Sequence, residues 1–251
     1  MKLYICYNTL KKIPIKTIQV QFYELRSSLR KKENDYFRIP GIFQGTWKNN
    51  YKEWFHANKD RYQQEVKTPF HRLVEKTLSI LKEIDPEIPD DPKDIIMRIN
   101  KDIRFSKDKA PYNTLMKANF TPGGRKSGNP GFYLGISAEA IHLGGGLYQV
   151  STAALKNIRK FMVENSGRLI QLQSDISFQE KFGSIKGEKM KRIGIDFMAH
   201  SNEIPLLLQK QFFYMKQLEV DAYVDVDPLP VFKAYFQAVA PWHHFFKEAV
   251  R

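Results

Sequence analysis

The stretch LMKANFTPGGRKSGNPGFYLGISAEAIHL, residues 115–143, decides the fold. Its apolar side chains take alternate positions in three short runs: Met116, Ala118 and Phe120, then Phe132, Leu134 and Ile136, then Ile141 and Leu143. A period of two is the mark of a strand with one buried face. Gly123, Gly124 and Gly128 supply a turn between the first two runs. The spacing predicts an antiparallel meander over 115–121, 131–137 and 140–143. Because the apolar face pins the register, Lys117, Asn119, Tyr133, Ser137 and His142 belong to the opposite face.

Upstream, residues 95–105 alternate in the same way. Ile95, Met97, Ile99, Ile103 and Phe105 hold the odd positions, and Arg98, Asn100, Asp102 and Arg104 the even ones, which predicts another strand with a charged face. Residues 106–111 then read as a loop carrying Lys107, Lys109 and Pro111. Residues 98–114 hold five basic and two acidic side chains, a net +3. Two readings fit this charge. The even face is either the solvated side of a sheet, or the guanidinium groups of Arg98 and Arg104 join Lys107 and Lys109 in taking up a phosphate or carboxylate. In the second case Asp102 aligns an arginine, Tyr112 and Tyr133 stand beside it, and the ligand is small and anionic or phosphorylated. A metal-independent enzyme could use the same site. A basic module that binds nucleic acid or protein is the third possibility.

Helical stripes flank this region. Trp47, Tyr51, Trp54, Phe55, Tyr62 and Val66 recur at spacings of three and four, and Thr68-Pro69 reads as the cap and first turn of a second helix carrying Phe70, Leu73, Val74, Leu78 and Leu81. Gly144, Gly145 and Gly146 read as a connection to a helix capped by Ser151, and residues 211–218 as a last aromatic strand. The C-terminal apolar positions form one stripe up to Val239 and a second after Pro241. His243 and His244 are adjacent and point apart on a helix, so they do not share a metal. The expected fold is α+β, with an antiparallel sheet of four to five strands in mid-chain packed against N-terminal and C-terminal helices. Residues 1–40, with no sustained period, are expected to be a basic appendage to a single domain over 41–251.

The formal charge is +13, of which +6 falls on residues 1–40 and +7 is spread over 41–251. A basic surface attracts phosphates regardless of their sequence, but no zinc-finger spacing, RNP motif or helix-turn-helix accompanies it here. Nucleic-acid binding, if present, is therefore not expected to be sequence-specific. There is no run of 18 uncharged apolar residues to span a bilayer, and the single Cys6 suits a reducing cytoplasm. No cofactor or metal site is expected.

Arg98-Ile99, the run from Lys101 through Asp102, Ile103, Arg104 and Phe105 to Ser106, then Asp108-Lys109 and Pro111-Tyr112, resemble the signature of family 2461 of the domains of unknown function, a group of uncharacterised, mainly bacterial proteins. Asn49-Asn50 with Trp54-Phe55 are similar to its opening, Pro130-Gly131-Phe132-Tyr133 and the three glycines to its middle, and His200 with Lys210 to its end. The resemblance covers about residues 42–220. It implies one compact domain and carries over no activity.

Overall fold

The computed structural model describes residues 49–223 and 226–251. The expected appendage, residues 1–40, lies outside them. Short helices α1 (Lys52–Ala57) and α2 (Lys59–Tyr62) lead through a π-turn, Gln63–Lys67, into α3 (Thr68–Lys82). Thr68 was expected to cap a new helix. It is itself helical, at φ −65° and ψ −47°, so the chain coils straight through. Pro69 has no N–H to give, and the widened turn just before it is where the helix absorbs the missing bond. Phe70, Leu73, Val74, Thr77, Leu78 and Leu81 recur every three or four residues and bury one face of α3.

Residues 95–105 do not form the expected strand. Pro92–Ile95 is a short helix, α4, whose first turn is capped by the Asp91 carboxylate accepting from the Lys93 amide. The chain then runs beside β1 (Met116–Phe120) for one bridge, Ile96 with Ala118, with the Met97 amide donating to the Lys117 carbonyl at 2.8 Å. From there it pairs with itself: Lys101 donates to the Pro111 carbonyl and Asn113 to that of Ile99. Pro111 has no N–H to return a bond, so no ladder extends outward. The alternation holds as far as Arg104, since Arg98, Asn100, Asp102 and Arg104 are exposed and Ile95, Met97, Ile99 and Ile103 are not, but it belongs to extended chain and fails at Phe105, which is exposed.

The meander follows its apolar parity. β2 (Gly131–Ile136) and β3 (Ala140–Leu147) continue from β1, and all eight side chains assigned to the core are buried. β3 is longer than expected because the glycine run lies inside it. Gly146 has φ +104°, and a Cβ there would strike the Phe212 carbonyl oxygen. The run is therefore a place of close backbone approach rather than a flexible link to a helix.

Next come α5 (Thr152–Glu164), with Ser151 accepting from the Ala154 amide as its cap, α6 (Ser166–Ser174), α7 (Ile176–Phe182) and the short α8 (Ile195–Met198). β4 (Phe212–Glu219) completes an antiparallel sheet in the order β1-β2-β3-β4. Along its outer edge, Lys186 and Phe213 exchange both backbone bonds, at 2.6 and 3.0 Å. The last helix, α9 (Leu229–Ala249), runs unbroken past Pro241. Pro241 and Gln237, the residue whose carbonyl it deprives of a partner, are both exposed, so the lost bond faces solvent. The chain is thus α+β: α3, α5, α7 and α9 cover one face of a four-stranded sheet. Each fully buried Phe in that layer contributes roughly 1.5–3 kcal/mol. Among the described residues no helix is long and apolar enough to cross a membrane.

One polar cluster sits inside the apolar layer. Asp85, just past α3 and 1% exposed, receives the Glu87 amide at 3.1 Å, the Lys247 ammonium at 2.6 Å and the His243 Nε2 at 2.7 Å. His243 is fully buried, stacked on Phe132 at 4.5 Å, and its Nδ1 has no hydrogen-bond partner among the described residues. The carboxylate can only accept, so Nε2 carries the hydrogen and Nδ1 is bare. Burial pushes the His243 pKa down despite the carboxylate beside it. For Asp85, burial works upward, but the bonds from Lys247 and His243 prevail and hold it below the usual carboxylate range.

Candidate anion-binding site

The basic loop is braced from within. Asp102 and Arg104 form a forked pair, Nη2 to Oδ2 at 2.6 Å and Nε to Oδ1 at 2.9 Å, which lowers the pKa of the one and raises that of the other. Lys101 bonds Asp108 at 2.8 Å, Asp108 accepts the Ala110 amide, and Lys109 donates to the Ile103 carbonyl. Arg98 and Lys107 are exposed and have no ion-pair partner among the described residues. Phe105, flanked by these charges, is 95% exposed.

Tyr112 anchors the loop instead of lining an opening. Its ring is buried and stacked on Phe55 at 4.1 Å, and its backbone is clamped by the Asn50 amide, which donates to the Tyr112 carbonyl at 2.9 Å and accepts from its N–H at 3.1 Å. Of the seven residues singled out in the sequence, the fold pairs Asp102 with Arg104 and keeps Arg98, Lys107 and Lys109 on the same loop. It sets Tyr112 beneath them and Tyr133 on the sheet.

The sheet register builds the rest. Lys117, Gly135, His142 and Gln217 are cross-strand partners in one row, and Asn119, Tyr133, Gly144 and Met215 form the next, all on the face away from the helices. Gly135 leaves a gap in the first row, and the hydroxyl end of Tyr133 lies over it: a Cβ at Gly135 would be 2.8 Å from the Tyr133 Oη. Strand spacing places Lys117 and His142 about 10 Å apart, with the phenol between them. Lys117 Nζ meets only the Asn113 Oδ1, at 3.4 Å, and no carboxylate pairs with it among the described residues. Asn113 is itself fixed by donating to the Arg98 and Ile99 carbonyls.

Burial, and secondarily the charge of Lys101, push the Lys117 pKa down. Burial alone lowers His142 and raises Tyr133 to about 12. Neutral imidazole and phenol beside an unneutralised ammonium can donate hydrogen bonds to an anion without repelling it. Among the described residues no three His, Cys, Asp or Glu side chains gather as a metal site would require. Lys117, Asn113 and His142 were absent from the residues chosen in the sequence, although parity had placed Lys117 and His142 on this face. A lysine on a strand is ordinarily a solvated charge, and only the folded arrangement shows that this one has no carboxylate partner among the described residues.

At the opposite end of the sheet lies an open cleft of about 800 Å³, lined by Lys126, Tyr148, Ser151, Glu188 and Lys210 among others. None of the seven residues lines it, and its Lys210 is already paired with Glu188 at 2.5 Å.

A family model described as Conserved hypothetical protein (DUF2461) matches residues 43–245. No curated protein and no solved structure matches the chain.

Proposed function

For a chain that belongs to the DUF2461 family, we propose a binding protein for a small anionic or phosphorylated ligand, held between the outer sheet face and the basic loop. The observation that carries this reading is Lys117, a half-buried ammonium with no carboxylate partner among the described residues and a second lysine within its field. A half-buried ammonium left without its own acid costs stability, because the neighbouring Lys101 is already committed to Asp108, and an anion arriving from outside removes that cost. Asn113 orients Lys117, while the Tyr133 hydroxyl and the His142 imidazole supply neutral polar contacts. Arg98 and Lys107 form a cationic lip, and the Asp102–Arg104 and Lys101–Asp108 pairs hold the loop's shape.

Calorimetric titration with inorganic phosphate tests the site. Lys117→Met, which keeps the aliphatic stem, is expected to weaken phosphate at least about tenfold, as loss of a charge-assisted hydrogen bond does. Lys126→Met, in the open cleft, serves as the control. Equal losses in both variants, or none in Lys117→Met, would refute the assignment.

A further inference from the structure

We infer that the anion bound by this face carries a flat aromatic or heteroaromatic ring, as an aryl or nucleoside phosphate does. This rests on the small-anion reading above and deepens it. The second observation is the pair of glycines on the outer face, Gly135 and Gly144. Side chains on a sheet ordinarily stand away from it, and a row of them leaves no room for a flat body. Here two neighbours lie down over the glycine positions instead. The hydroxyl end of Tyr133 covers Gly135, and the Met215 thioether covers Gly144, its Sδ 2.8 Å from where a Cβ would be. Met97 extends the same surface, its sulfur 3.8 Å from the Asn119 amide nitrogen.

The result is a low shelf of one aromatic ring and two thioethers running across the strands, with the Lys117 ammonium at the β1 side and the His142 imidazole about 10 Å away on β3. Thioethers and aromatic rings pack against π-systems. A phosphate alone would occupy the Lys117 end and leave the shelf bare. A phosphate joined to a planar ring fills both, with the ring over Tyr133 and Met215 and its polar edge within range of His142. A side chain at Gly135 would collide with the Tyr133 phenol, and one at Gly144 with both the Tyr214 carbonyl and the Met215 thioether, so the two glycines leave the shelf its room while Gly144 also serves the close approach of β4.

The experiment is a calorimetric comparison on the full 251-residue chain with inorganic phosphate, ribose 5-phosphate, phenyl phosphate and adenosine 5′-monophosphate. Phenyl phosphate and the nucleotide are expected to bind about threefold to tenfold tighter than inorganic phosphate, the gain of one aromatic contact. Ribose 5-phosphate should stay near inorganic phosphate. A nucleotide tighter than phenyl phosphate identifies the source as a nucleoside ester, and equality identifies a simple aryl ester.

Met215→Ser should shrink the phenyl phosphate advantage to within about twofold, whereas Tyr133→Phe, which keeps the ring, should preserve it. Thermal melts of both variants check that they fold. All four ligands binding alike, with Lys117→Met weakening each, overturns the ring and leaves the anion reading standing. Lys117-independent binding of every ligand overturns both.

Discussion

Replacing Asp85 by Asn removes the charge at the centre of the buried cluster while keeping its shape. The Asp85 carboxylate receives hydrogens from the Glu87 amide, the Lys247 ammonium and the His243 ring. An asparagine can still accept the first, but its NH2 must then oppose either the ammonium or the ring N–H. One charge-assisted bond, worth about 1.5–3 kcal/mol, is lost outright and the other is weakened. Breaking a buried pair by removing one partner costs about 3–5 kcal/mol. The lower figure applies here, because Lys247 keeps Glu87 at 3.1 Å. About 3 kcal/mol corresponds to a fall in thermal midpoint of about 6–12 °C for a chain of this size.

The assay is urea unfolding followed by circular dichroism at pH 7.5, for Asp85→Asn, His243→Phe and the double variant. Since the two residues touch, the double should cost about 1 kcal/mol less than the singles summed. The pH dependence adds an independent check. The His243 pKa is lower in the folded chain, where burial outweighs Asp85, and His244 and Lys247 push it the same way. The unfolded chain therefore takes up a proton first as pH falls. Stability is full above about pH 6.5, declines as pH drops below that value, and levels off under the folded pKa. His243→Phe should make this decline shallower by removing the His243 share, leaving that of His71 and His142, whose pKa values burial also lowers. A cost for Asp85→Asn below about 1 kcal/mol, or the same acid slope in His243→Phe as in the parent, would refute the reasoning.

Two further perturbations test the framework of the site. Gly146→Ala places a Cβ against the Phe212 carbonyl in a backbone conformation that L-residues rarely adopt, and should cost at least about 2 kcal/mol in the same urea assay; a milder effect would mean that β3 and β4 can separate there. Asn50→Ala removes both bonds to the Tyr112 backbone and should cost about 1–2 kcal/mol. Hydrogen exchange at the Tyr112 amide should accelerate in that variant, and unchanged protection would show that the Phe55 stack alone holds the loop.

Parity carried the sheet. Met116 to Leu143 alternate because one face meets helices and the other does not, and that requirement is written residue by residue. The same signal misled at residues 95–105, since a chain held extended by two isolated bridges, Ile96 with Ala118 and Asn100 with Tyr112, covers alternate side chains much as a strand does. Pro69 and Pro241 were expected to interrupt helices. Whether a helix stops at proline depends on what surrounds the orphaned carbonyl, which local sequence does not state. Asp85 and His243 are 158 positions apart, and nothing near either one announces the other. Of the candidate site, the loop charges and Tyr133 were legible as residues in the sequence, while Lys117 draws notice only because no carboxylate among the described residues stands beside it.

The irregular segments on the two flanks of the sheet have a consequence for how the protein behaves at high concentration. A bare edge strand offers a row of amides and carbonyls on which another molecule can add a strand, and that is how sheets template fibrils. On one flank Met97 takes the Lys117 carbonyl, and on the other Lys186 takes both backbone groups of Phe213, with a lysine at each place. An incoming strand meets an occupied, positively charged border on either side, so cross-β growth has no starting template at these positions until residues 96–97 or 186 peel away.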